Sequence, residues 1–194
     1  ERDGARDGRY VVEHPDGTRL LAMRYKNGTP HGPLTRWRHD GTLAMAGGYA
    51  MGLPHGAFVV WGRGGQVVGR YRMSHGDGKA RSWWDNGSLR EEGAYINGVR
   101  HGPWRSFRSD GSLARAGAFN KGLPHGVWKH FSRAAQLNGT YVLDRGTGIV
   151  LTWHDNGQRQ ARGRLVAGER QGLWLQWHDN GTRASQQTWR DGQA

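Results

Sequence analysis

The stretch from Gly102 to His125 reads GPWRSFRSDGSLARAGAFNKGLPH, and its likeness returns along almost the whole chain. Copies open at Gly8, Gly32, Gly56, Gly78, Gly102, Gly126, Gly148 and Gly172, at spacings of 24 or 22 residues. A fixed period of this length marks one small supersecondary unit stacked on itself, not a chain wrapped around one central core. The array covers 8–194 as a single domain behind a polar extension at 1–7.

The quoted copy also shows what each unit is. Asp110-Gly111 recurs as Asp16-Gly17, Asp40-Gly41, Asn86-Gly87, Asn156-Gly157 and Asn180-Gly181, nine residues after the opening Gly. An Asx-Gly pair between alternating stretches predicts a hairpin turn in which both residues accept positive φ. The copy opening at Gly126 carries Ala134-Ala135 there, which predicts a different turn. After the turn, Leu113, Arg115, Gly117 and Phe119 alternate with Ala114, Ala116 and Ala118, and a period of two means strand. The small residues Gly47, Gly93, Gly117 and Gly163 are expected to leave room for a neighbouring ring. A second turn follows at Asn27-Gly28, Gly52, Asn97-Gly98, Gly122 and Gly168.

Two aromatic columns run through the copies. Offset two carries Tyr10, Leu34, Phe58, Trp104, Trp128, Val150 and Trp174, and offset five carries Trp37, Trp61, Trp83, Phe107, Phe131, Trp153 and Trp177. Three residues apart, they would lie on opposite faces of a flat strand, so either a bulge intervenes or both faces carry rings. The two 22-residue copies, opening at Gly56 and Gly126, are read as shorter between the first turn and Tyr71 or Tyr141. Losing two residues keeps the faces in phase. The predicted fold is all-β: an elongated, twisted antiparallel β-meander of eight stacked hairpins, about sixteen continuous strands at ~4.8 Å each.

Composition narrows the function classes. Leu, Ile, Val and Phe total 31 of 194 residues, and the net charge is +12, a balance that usually means disorder. Ten Trp and six Tyr at fixed offsets override it, because each ring buries a large area. There is no cysteine and no apolar run long enough to span a membrane as a helix, so the chain is read as not transmembrane. It opens on Glu1 rather than Met, which leaves a removed export signal open.

Catalytic and metal chemistry find little support, and no cofactor is expected. His31, His55, His101 and His125 each precede an opening Gly and are spaced roughly 10 Å apart by the repeat, too far for one ion, so they read as turn residues. His39, His154 and His178 fall at another repeated turn position. Six of sixteen carboxylates lie in the first turns, and no phosphate loop or nucleophile elbow occurs. The reading is of a non-enzyme. Twenty-four of the 28 basic residues are Arg, which pairs bidentately with carboxylate or phosphate and stacks on rings. Arg36, Arg38, Arg63, Arg81, Trp84, Arg105, Arg108, Lys129 and Arg133 are the candidate partner-binding residues, with the offset-five aromatics as the structural column.

Glu92-Gly93-Ala94-Tyr95-Ile96-Asn97-Gly98-Val99-Arg100-His101-Gly102-Pro103-Trp104 resembles the MORN repeat, and more closely its bacterial variant form; the same match runs through Gly8 to Gly192. The resemblance implies a curved sheet of stacked hairpins. It also implies a bacterial immunity or antitoxin protein of a polymorphic-toxin system, acting in periplasm or cytoplasm on a cognate toxin or effector with an acidic surface. Scaffolding at an anionic phospholipid membrane is the alternative, and nucleic-acid binding ranks below both. The open sheet ends suggest a homodimer as a further expectation.

Overall fold

The computed structural model describes residues 6–190, 192 and 193. Residues 1–5 of the expected N-terminal extension lie outside the described residues. Among those described there is no helix, and every strand pairing is antiparallel. The chain forms two compact units, 1–99 and 100–194.

The first unit contains β1 (Gly8–Glu13), β2 (Arg19–Lys26), β3 (Thr29–Trp37), β4 (Leu43–Ala50) and the two-residue β5 (Leu53–Pro54). It continues with β6 (Gly56–Trp61), β7 (Val67–Met73), β8 (Gly78–Trp83) and β9 (Leu89–Ile96). Strands β1 to β7 form one sheet in chain order, with β5 on the edge of β4, and β8 pairs with β9. The second unit holds β10 (Val99–Phe107) but for its first residue, then β11 (Leu113–Asn120), β12 (Leu123–Phe131) and β13 (Leu137–Leu143) in one ladder. A separate ladder follows, of β14 (Gly148–Trp153), β15 (Arg159–Val166), β16 (Glu169–Trp177) and β17 (Arg183–Trp189). The described residues form seventeen strands, not sixteen, because His55 interrupts what would be one strand and leaves β5 apart from β6.

The meander is not continuous, and the short copies explain why. Gly56 pairs with Met73 and Gly126 with Leu143, the same seventeen-residue separation as Gly32 with Tyr49. Their return strands therefore lack nothing; the two missing residues fall after the second turn, which corrects the expectation above. In a long copy those residues let the outgoing strand bulge, as where Ala46 faces Val59 but Tyr49 faces Pro54. In the short copies the strand pairing between one hairpin and the next is reduced, among the described residues, to the bridges Ser74–Asp77 and Asp144–Thr147. The sheets consequently restart at Gly78 and Gly148, 70 residues apart, as Gly8 and Gly78 are.

The turns also differ from the simplest reading. In the first turn only the Gly has positive φ, as at Gly17, Gly41 and Gly111, while the preceding Asp does not. The Asp instead accepts from the backbone two residues on: Asp110 Oδ1 takes the Ser112 amide at 2.8 Å and its hydroxyl at 2.6 Å. Ala135 adopts φ 58° with the same two backbone hydrogen bonds, Ser132 N–H to Gln136 and Ala135 N–H to Ser132, so that copy turns like the rest. Both-positive turns occur at the second site, where Asn27-Gly28, Met51-Gly52, Asn97-Gly98 and Lys121-Gly122 all satisfy the two-residue hairpin geometry. These second turns stack: Gly52 N–H donates to Pro30 O, Gly122 to Arg100 O and Gly168 to Gly146 O.

Every hairpin carries a register shift between offsets four and five, at Val12/Glu13, Val60/Trp61, Ser82/Trp83, Thr152/Trp153 and their equivalents. The bulge reading is therefore the right one for Trp83 and Trp153, which come to rest over Gly69 and Gly139 on the same face as the buried offset-two rings. The core lies there, with Leu34, Phe58 and Met73 buried in the first unit and Trp104, Phe119, Trp128 and Leu143 in the second. Phe58 seats on Gly47, Trp128 on Gly117 and Trp174 on Gly163, as the small residues at these positions predicted. Each such ring contributes on the order of 3–5 kcal/mol, judged by the usual cost of truncating a buried Phe or Trp.

Candidate functional site

Strand alternation sets the site. Where offset two faces the core, offsets one and three point the other way, together with offsets fourteen and sixteen of the paired return strand. At these offsets the first unit carries Arg9, Arg24, Arg70, Arg72, Lys79 and Arg81, all exposed, against one carboxylate, Glu92; exposed Asp77, bridged to Ser74, lies at the edge of this open face. In the second these offsets carry Arg105, Lys129, Arg162 and Arg164, also exposed, and no carboxylate; exposed Glu169, paired with Val166, shares the face, and exposed Asp144 lies at its edge. Glu92 is buried, only 7% exposed, with Lys79 Nζ at 3.1 Å and Arg81 Nε at 3.4 Å.

The nine candidate residues separate into three places. Arg81, Arg105 and Lys129 stand on the open face at offset three. Arg36 is exposed but pairs with Met45 and Leu21, so it shares the core-side face. The other five line the first-turn edge. Arg108 donates to Leu113 O at 3.1 Å, to Phe131 O at 2.6 Å in the next copy, and to Asp155 at 2.8 Å one copy further. Arg38 repeats this with Leu43 O and Trp61 O, and His154 Nε2 lies 2.8 Å from Trp177 O at the same position. These side chains brace hairpin to hairpin. Arg63 and Arg133 pair with Asp85 at 2.7 Å and Asp155 at 3.1 Å, and Arg90 stacks over Trp84 at 4.7 Å.

The repeated histidines also have a structural task. Nδ1 of His31, His55 and His125 accepts the amide of the first residue in the following second turn, Met51, His75 and Arg145. Asp77 and Thr147 do the same in the short copies. In the first turns, the hydrogen bonds from Thr18, Thr42 and Ser112 hold Asp16, Asp40 and Asp110 below the usual carboxylate range. Burial pushes Tyr71 up to about 12, with Tyr49 and Tyr95 adding to it, and pushes His130 down to about 4, with Arg115 and Arg108 adding to it. No group of three or more metal-ligating side chains converges among the described residues, and no helix there is long and apolar enough to cross a membrane. On the core-side face of the second unit, an open depression of about 500 Å³ is lined by Thr152, Arg170, Trp174 and Gln176. Its Arg170 guanidinium is stacked on the rings of Trp174 and Trp189, 4.6 Å from each.

Sequence reasoning missed Arg9, Arg24, Arg70, Arg72, Lys79, Arg162 and Arg164. Most stand on return strands, one residue out of phase with the inward Gly69, Tyr71 and Gly163, and that alternation was the available signal.

Fold and site together define a hairpin-repeat protein with a cationic sheet face. Residues 76–97, spanning the β8–β9 hairpin, match the family model of the MORN repeat variant, which supports the MORN-repeat family for this unit. No curated protein matches the chain.

Proposed function

We propose that this protein is an immunity- or antitoxin-type binder that docks on the acidic surface of a cognate toxin or effector and neutralises it. One observation carries the reading: at offsets one, three, fourteen and sixteen the open faces of the two units present six and four exposed basic side chains against one carboxylate, the buried Glu92. A cationic face steers an acidic protein toward it and penalises wrong partners. Arg, the dominant cation here, is enriched where a few side chains dominate binding. The resemblance to bacterial variant-repeat chains supplies the toxin as partner. Neutralisation by occlusion, without catalysis, agrees with His31, His55, His125, Asp16, Asp40 and Asp110 all being engaged in holding turns.

The same charges support a second reading, peripheral attachment to anionic phospholipid, where each cation near the surface adds about 1 kcal/mol. Co-expression with the toxic product of the neighbouring reading frame separates the two. Restored growth and a complex that survives gel filtration are expected. Continued growth arrest without a complex overturns the reading, and retention by phosphatidylglycerol vesicles alone moves the assignment to lipid.

A further inference from the structure

The open face around β15 inverts a charge arrangement found in the first unit. At one end of the 70-residue period, Glu92 is enclosed by Lys79 and Arg81, its charge satisfied within the chain. At the other end the equivalent positions are Arg162, Ile149 and Leu151, so a cation stands among apolar side chains and the carboxylate is missing. Arg162 faces Leu151 on β14 and Leu175 on β16; Arg164 faces Ile149 on β14 and Gln171 on β16, with Glu169 one pair further along the same face. Ile149 is 39% exposed, Leu173 48% and Val142, where the Asp144–Thr147 bridge turns β13 into β14, 63%.

The geometry points to a docking site here for a protein segment that carries an acidic side chain between apolar ones, centred on Arg162 and Arg164. The inference rests on the reading that the open face binds a protein. Apolar contacts on both sides of Arg162 would exclude water from the new ion pair, the arrangement in which a guanidinium–carboxylate pair contributes most to an interface. A membrane fits this face poorly. Arg162 sits between the apolar columns rather than at their rim, so inserting Ile149 and Leu173 would draw its charge toward hydrocarbon. None of the register positions on this face of β14–β16 holds the Trp or Tyr that anchors proteins at a bilayer surface.

The test uses the full chain and its Arg162→Glu/Arg164→Glu variant, with Leu173→Ser as a second variant that leaves the charges intact. Both alter exposed side chains, and unchanged thermal melting verifies the fold. A random peptide library displayed on phage is selected on the wild-type protein. Enriched peptides with Asp or Glu flanked by apolar residues are expected, with binding weakened about tenfold or more by either variant. No enrichment, or peptides that bind both variants as well as wild type, overturns the inference. So does retention of the wild type, but not the double variant, on phosphatidylglycerol vesicles. The toxin complex proposed above distinguishes the two levels. If it forms equally with the double variant, this site is wrong and the protein-binding reading stands; if wild type forms none, that broader reading fails.

Discussion

Gly117→Ala is the sharpest probe of how these hairpins stack. The residue lies in β11, outside the positive-φ region, so its backbone would accept alanine. Alone, that change would stabilise by about 0.5–1 kcal/mol, because glycine loses more conformational freedom on folding. A Cβ at this position would instead stand 2.5 Å from Trp128 Cε2 and 2.6 Å from Cε3. Carbon contacts settle near ~3.5–4.0 Å, so the indole must withdraw by about 1 Å or more, from a site where Trp128 is only 7% exposed. Contacts this short place the overpacking cost in the upper part of the usual range, ~2–3 kcal/mol, which leaves a net loss of about 1–2 kcal/mol. Urea denaturation followed by tryptophan fluorescence measures it. In a Trp128→Leu background, which places at offset two the residue found at Leu34, the penalty should fall by at least ~1 kcal/mol. A Gly117→Ala protein as stable as wild type, or a penalty unchanged by Trp128→Leu, would refute the seating of ring on glycine.

Four further outcomes follow from the same coordinates. Lys121 sits at φ 48° in a two-residue turn where other copies have Asn27 and Asn97; Lys121→Asn should stabilise by ~0.5–1 kcal/mol in thermal melts. Arg108→Ala should destabilise by ~1–3 kcal/mol, since it strips partners from the Leu113 and Phe131 carbonyls and from Asp155, while Lys129→Ala on the open face should stay within about 0.5 kcal/mol. His130 titrates near 4 when folded and near its ordinary 6.5 when unfolded, so the unfolded chain binds the extra proton between those values. Stability should therefore fall as pH drops from about 6.5 to 4, and His130→Phe should flatten that slope in pH-dependent melts. For Asp110 the folded value is lowered, so its contribution is present above its unfolded value and is lost as pH falls through the folded one; Asp110→Asn should keep the turn and remove that part of the acid sensitivity.

Much of the fold was legible because a repeat states each rule several times. Alternation from Leu113 to Phe119 gave the strand, and the small residues at Gly47, Gly117 and Gly163 announced the rings they underlie. The turn chemistry was legible only in part: Asp110-Gly111 was correctly a turn, but only the Gly takes positive φ while the Asp side chain accepts two hydrogen bonds, which an Asx-Gly pair alone does not distinguish from a two-residue hairpin. Where the short copies lose their two residues was hidden, since only the pairing of Gly56 with Met73 shows that the return strand is complete. The candidate site was the least legible. Arg38 and Arg108 look like surface cations in one dimension because the carbonyls they reach lie 23 residues away.

By itself, then, the sequence determined the unit: its period, the places of its two turns and the alternation of its strands. Those are local properties, set by φ preference and side-chain alternation within a few residues. Tertiary structure alone decided where the ladders stop and which arginines remain available. Both depend on what the next hairpin places alongside, a carbonyl, a carboxylate or nothing, and that neighbour is fixed by packing between copies rather than by any stretch within one.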